Sequence, residues 1–390
     1  MTANWVDTTL GDVARIASGA TPKTGIAEYW DGGVPWATPK DLSELDGKHE
    51  ISATLRTISD AGLKSCAVSL LPTGSVLLSS RAPIGHVAIN TVPMATNQGF
   101  KSLVPDRDRV DSKFLYWWLR RNRPMLESLG NGATFKEISK KTTADVSISL
   151  PPIEEQRRIA AVLDAADALR TKRREALAKL DTLSQSVLAD ALAGVGSLVH
   201  LGDHITFLTS GARGWAKYYA DTGSRFVRSL DVQMNAIGKD DVVFVQAPDS
   251  AEARRIRVQG GDVLLTITGS RIGRAAEAPP GLAGSYVSQH VAIIRVNDSA
   301  LLPGYLSMWL AHPTLGQRQI ASRQYGQTKP GLNFEQIKSF EIPLPTIGEQ
   351  RQVLTRIDSV RAVSCDSIHS AAKLDSLFAS LQQRAFRGQL

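Results

Sequence analysis

The sequence predicts an α+β protein: two mixed α/β globular halves alternating with two long helices that pack as an antiparallel coiled coil, the whole an internal pseudo-two-fold repeat. Three observations carry this. The 390-residue chain writes "LPPIEEQRRIAAVLD" at Leu150–Asp164 and "LPTIGEQRQVLTRID" at Leu344–Asp358, 194 residues later. Each stretch opens a long run free of the usual helix breakers. Each is preceded by roughly 150 residues rich in short apolar runs broken by Gly and Pro. Self-similarity at one large offset points to a duplicated unit, not to an array of short repeats.

The first globular half is expected at 1–150. Its β-like runs include "SVLLSS" and "HVAIN", with a short helix near "KFLYWWLRR". The first long helix is expected within 151–196. Pro151 and Pro152 sit where a first turn tolerates them, and Glu154 and Glu155 suit the positive end of the helix dipole. No Gly or Pro interrupts Glu154–Leu192, and 39 residues make a helix about 58 Å long. Apolar residues recur at Ile159, Val162, Ala166, Leu169, Ala176, Leu180, Leu183 and Val187, the three-and-four spacing of a coiled-coil stripe. Gly194 and Gly196 supply the stop.

The second globular half, 197–343, offers "DVVFVQ", "DVLLTIT" and "VAIIRV", then the helical "GYLSMWLAH". The second helix, 344–390, carries its stripe at Val353, Ile357, Val360, Ile368, Ala371, Leu374, Phe378 and Leu381. One such helix alone exposes its stripe to water; two in one chain cover each other. The repeat extends upstream. Gly132 and Thr134 answer to Gly326 and Thr328, and Ile148 to Ile342. "GSVLLSSRAPIG" resembles "GDVLLTITGSRIG", and "LGDVARIASGA" resembles "LGDHITFLTSGA".

Net charge is +7, distributed as +2, 0, +3 and +2 over residues 1–150, 151–194, 195–343 and 344–390. That permits nucleic-acid binding without proving it. Two cysteines, Cys66 and Cys365, suggest neither a disulfide framework nor a Cys-rich metal site, which fits a reducing compartment. No signal segment and no membrane-spanning run is visible, so a cytoplasmic location is expected. Phosphate-loop, dinucleotide, zinc-protease and base-methyltransferase motifs are all missing. His200 and His204 lie four apart, but Gly202 separates them and a strand-edge pair is the better reading. The expectation is a non-catalytic chain that binds no cofactor and no metal.

The doubled "LP-x-I-x-EQR" before a long heptad helix resembles the specificity subunit of type I restriction-modification systems. "SSRAPIG", "TNQGFKSL", "GATFKEISKKTTADVSISLPPI" and "GQTKPGLNFEQIKSFEIPLPTI" extend the resemblance over essentially the whole chain. Gly348, standing where the first copy has Glu154, is a small departure. The resemblance implies two target recognition domains, 1–150 and 197–343, each reading half of an asymmetric bipartite site in double-stranded DNA. It implies that the helices of 151–196 and 344–390 act as spacers and dock two modification subunits. S-adenosylmethionine would sit on those partners, and ATP and Mg on restriction subunits that can join.

Phosphate contacts need Lys, Arg or backbone N–H groups, and base reading favours Arg, Lys, Asn and Gln. In the first half the candidates are Lys23, Lys40, Arg81, Lys136, Lys140 and Lys141. In the second they are Arg213, Lys217, Arg228, Arg271, Arg274, Arg323 and Lys329. Asn97, Gln98 and Gln289 lie in the repeated motifs and could equally hold the fold. The competing reading is a duplicated coiled-coil adaptor joining protein partners without reading DNA. It leaves the cationic loops "SGARGWAKYY" and "TGSRIGR" without a role.

Overall fold

The computed structural model describes residues 5–390 apart from 46, 82, 133–135, 194, 196 and 327–329. The chain forms two compact units, Met1–Glu175 with Ile368–Leu390, and Ala176–Ser367. Four helices organise these units: α1 (Ser112–Arg121), α2 (Ile153–Leu192), α3 (Pro303–Ala311) and α4 (Ile347–Ala385). The long helices thus arise in both expected segments; Gly194 and Gly196, the expected stop, fall outside the described residues.

In the first unit the main sheet uses β1 (Ala14–Ser18), β2 (Val76–Leu78), β3 (Val87–Asn90) and β4 (Lys101–Pro105). Their order across the sheet is β1-β4-β2-β3, with Glu50–Ile51 beyond β3. β2 forms because three consecutive apolar residues, Val76, Leu77 and Leu78, are buried on both faces. Gly74, at φ +85°, makes the turn into it, a conformation a side chain would strain. Asp111 caps α1 by accepting hydrogen bonds from the amides of Lys113 and Phe114, both 3.0 Å. Residues Phe114 to Leu119 of α1 are all buried. They pack with Ile159, Ala160 and Leu163 of α2 and with Phe378 and Ala385 of α4. Fully burying such a side chain contributes about 1.5–3 kcal/mol.

The second unit runs through β5 (Ile205–Ser210), β6 (Val263–Thr266), β7 (Ala275–Glu277) and β8 (Val291–Val296). Their order is β5-β8-β6-β7, the same sequence of first, fourth, second and third strand. Gly261, at φ +84°, makes the equivalent turn into β6. Each unit also pairs two strands in parallel in a smaller sheet: Trp36 opposite Ala95 in the first, Phe226 opposite Tyr286 in the second. Each closes its globular part with an antiparallel pair from its ends, Val6 opposite Leu150 and Leu198 opposite Pro343. The core around α3 takes in Val187 and Leu188 of α2 and Val353 and Ile357 of α4.

The apolar stripes are only partly buried. Ile159 and Val187 are buried, as are Val353, Ile357 and Phe378, but Leu169, Leu183 and Ile368 are 57%, 47% and 60% exposed. The long helices bury their apolar faces where a globular core presses on them, and the intervening turns lack that support. Conversely, the polar Gln156, Asp167 and Gln350 are buried. Among the described residues no helix is long and apolar enough to cross a membrane.

Candidate nucleic-acid interface

The strongest candidate site is a cleft of about 790 Å³ in the second unit. It opens at the end of β5, at Ser210, just beyond the end of β6, at Thr268, and where the loop before β8 presents Gln289 and His290. Arg213 and Arg271 stand in its wall, and no carboxylate is among the lining residues. Cations with no acid beside them attract a polyanion such as DNA. Tyr325 adds an aromatic, 52% exposed. It is held by a reciprocal backbone pair with Gly331, at 3.0 and 2.9 Å. A Cβ at 331 would come within 2.9 Å of the Tyr325 ring, so the glycine lets that ring lie close against the backbone. Glycine is required at 211, because a Cβ would lie 2.0 Å from the Val287 carbonyl oxygen.

Inside the cleft the imidazole of His290 bonds on both sides. Its Nδ1 pairs with the Thr268 hydroxyl, and its Nε2 lies 3.0 Å from the Gln289 side-chain nitrogen. Arg271 donates to the Leu230 carbonyl at 3.2 Å, which fixes one cation against the opposite wall.

The sequence candidates separate by their partners. In the second unit Arg213 and Lys217 are exposed, and the Lys217 ammonium lies 4.9 Å from the Tyr218 ring centroid. Arg228 is engaged with Asp231 and Asp241, each at 3.2 Å; the Asp231 hydrogen bond above all holds its guanidinium charged beyond its ordinary range. It buttresses the loop that carries Ser229 and Leu230 into the cleft wall. Arg274 donates to Gln233 at 2.6 Å, and Arg323 lies 4.0 Å from Glu341. Lys329 lies outside the described residues.

In the first unit, Arg81 and Lys101 share one carboxylate, Glu137, at 4.0 and 2.9 Å. Lys40 pairs with Glu44 at 3.6 Å on one helix face. Lys23, Lys136, Lys140 and Lys141 are exposed. Asn97 accepts the Gly99 amide at 2.9 Å, and Gln98 bonds the Thr21 hydroxyl. Asn97 thus holds its own turn, and Gln98 ties that turn to the segment after β1.

Two groups escaped the sequence reading. His290 and Thr268 are one; His290 follows Gln289 in the chain, but only the fold brings Thr268 to the ring. The other is a pocket of about 540 Å³ lined by Arg254, Arg255, Arg257 and Arg295. Two of these four arginines are paired with acids and a third is hydrogen-bonded. Arg295 makes two bonds to buried Asp262, at 2.7 and 2.9 Å, Arg255 bonds Thr209, and Arg254 pairs with Asp249. The doublet Arg254-Arg255 was visible in sequence; the partners that hold each guanidinium were not. Among the described residues no group of three or more His, Cys, Asp or Glu could hold a metal.

The fold is thus that of two α/β units, one carrying a cleft lined by cations and by no carboxylate, a lining suited to a polyanion. The chain's family is more specific. The type I restriction modification DNA specificity domain matches residues 2–179 and 247–375, and the chain belongs to this family. It is similar to the type I restriction enzyme MjaIX specificity subunit of Methanocaldococcus jannaschii, 40% identical over 183 residues. That match takes in 45% of this chain and 42% of the relative, so less than half of that relative's length is spanned. The EcoBI specificity subunit of Escherichia coli is 23% identical over 337 residues, covering 76% of this chain and 70% of the relative. Among solved structures, a chain from work on assembly and conformational transition of the type I R-M system superposes with a TM-score of 0.63 at 19% identity, covering 99% of this chain and 98% of that one. The Type-I restriction-modification system S subunit from M. genitalium gives 0.57 at 14%, covering 98% and 96%. At such identities the two structures speak to the fold.

Proposed function

We propose that this chain reads DNA sequence for a type I restriction-modification complex. Residues 1–150 and 197–343 act as target recognition domains, each taking one half of an asymmetric bipartite site. The helices within 151–196 and 344–390 pair as an antiparallel coiled coil, set the distance between half-sites and dock two modification subunits. The repeated sheet order is what an internal pseudo-two-fold needs, and identical partners require equivalent docking surfaces. The exposed Leu169, Leu183 and Ile368 are apolar surface available to such partners. S-adenosylmethionine is assigned to the modification subunits, and ATP and Mg to restriction subunits.

The observation that carries the reading is the cleft that sets Arg213 and Arg271 beside Gln289 with no acid in its lining, in a member of a DNA specificity family. An adaptor that only joins proteins leaves this cleft without work. The test is methylation-aware sequencing of host DNA with and without this gene, each beside a modification-subunit gene. A bipartite motif that appears only when both genes are present is the expected result. Methylation of the same motif without this chain overturns the proposal.

A further inference from the structure

We propose that Gln289, oriented by His290 and Thr268, reads the major-groove edge of an adenine in the half-site taken by the second unit. The inference rests on the DNA-reading function above. With the Gln289 amide nitrogen facing the ring, the proton count fixes the tautomer of His290. The Gln289 nitrogen 3.0 Å from His290 Nε2 can only donate, so Nε2 is the acceptor. In a neutral imidazole the proton then sits on Nδ1, which donates to the Thr268 hydroxyl oxygen. One N–H of the amide is thereby engaged. The other N–H and Oε1 have no further side-chain partner among the described residues and share the cleft with Arg213 and Arg271.

That leaves one donor beside one acceptor. Adenine presents the complement, an N7 acceptor and an N6 donor. Guanine presents two acceptors, O6 and N7, and would set Oε1 against one of them. Cytosine reading favours a carboxylate, which the cleft lining lacks. Arg213 and Arg271 are cations suited to flanking phosphates, which position a reader without adding sequence information.

The first unit shows why the ring matters. A Cβ at Gly19 would strike the backbone of Asn97 and Thr96, and one at Gly211 would strike Ser288 and Val287. By that correspondence Gln98 is the counterpart of Gln289, and Gly99 stands where His290 does. Lacking the ring, Gln98 turns to the Thr21 hydroxyl. The two domains differ at this position in what they offer a base, as readers of different half-sites must.

The experiment uses the full chain assembled with modification subunits. Motif sequencing is combined with competition binding against duplexes varied at every half-site position. Gln289→Ala is expected to lose discrimination at one A·T position by on the order of 5- to 150-fold, with all other positions kept. His290→Ala leaves the glutamine in place but unoriented, and is expected to relax the same single position. Arg271→Gln is expected to weaken binding to all sequences alike. Unchanged discrimination in both Gln289→Ala and His290→Ala, or relaxation at different positions in the two, overturns the inference. If the wild-type assembly has no motif at all, the DNA-reading function itself has failed, an outcome distinct from these.

Discussion

Gln156 and Gln350 make the same three hydrogen bonds in their respective units. Gln156 accepts the amide of Asp111 at 2.9 Å and donates to the carbonyls of Arg109 and Pro151 at 3.0 and 2.9 Å. Gln350 accepts the amide of Leu302 at 2.8 Å and donates to Ala300 and Pro345, both at 2.9 Å. Both side chains are buried, at 1% and 0% exposure. Each staples the first turn of a long helix to the loop that opens the short helix before it. The duplicated "EQR" therefore has a mechanical meaning. The proline at each junction supplies one carbonyl, and the glutamine collects it.

Gln156→Leu is expected to destabilise the first unit by about 2–4 kcal/mol, and Gln350→Leu the second by a similar amount. The change keeps the approximate volume but leaves one amide and two carbonyls unpaired in the interior. Urea unfolding followed by tryptophan fluorescence measures it. A midpoint that does not move would mean that water replaces the amide.

The staple also marks what the sequence did and did not disclose. Long runs after a junction proline located α2 and α4, and blocks such as Val76–Leu78 and Val291–Val296 located strands, because those signals are local. Which helix positions are buried was not local. Gln156 is buried through partners 45 and 47 residues away, while Leu169 faces water because no core lies against it. The cations divide in the same way. Arg213 and Arg228 look alike in sequence, yet Asp241, thirteen residues on, engages only Arg228. Gln289 stood out as part of a repeated motif; the His290–Thr268 pair that orients it joins residues 22 apart.

A second prediction concerns acid. The Arg170 guanidinium donates to Asp375 at 2.6 Å and to Asp167 at 2.7 Å, and lies 4.2 Å from the Phe378 ring centroid. The Arg170 hydrogen bond holds the Asp375 carboxyl below the usual carboxylate range. A value lower in the folded state than the unfolded value of about 3.9 means the contribution is present above that pH and fades as pH falls through the folded value. Asp375 is half exposed, so screening limits the effect. Asp375→Asn is expected to cost at most about 1 kcal/mol at pH 7. The gap from wild type should close in denaturant melts taken from pH 5 down to pH 2. A gap that is constant across that range would sink the ion-pair assignment.

Lys136, Lys140 and Lys141 are exposed, the last two opening a short helix capped by Ser139. Replacing all three by glutamine is expected to weaken DNA binding by the assembled complex with little change in sequence preference. If each touches a phosphate, the log–log salt slope should flatten by about 0.9 per lost contact. Binding titrations between 50 and 200 mM salt read that slope directly. An unchanged slope places the cluster on a solvent face.

The last prediction treats the helices as a measuring device. Helix α2 has 40 residues, and its stretch around Lys179 is largely exposed or half-buried, between the cores that take Ile159 and Val187. Four residues inserted beside Lys179 therefore disturb neither core. They lengthen the helix by about 6 Å and exceed one 3.6-residue turn only slightly, so the apolar faces keep nearly their original direction. At about 3.4 Å per base pair, the added length corresponds to at most about two base pairs. The insertion is expected to widen the unspecified gap between half-sites by one or two base pairs with both half-site sequences kept. Methylome sequencing of cells that carry the variant beside a modification subunit measures the gap to the base pair. An active complex with the original gap would show that the helices tether the recognition domains without setting their distance.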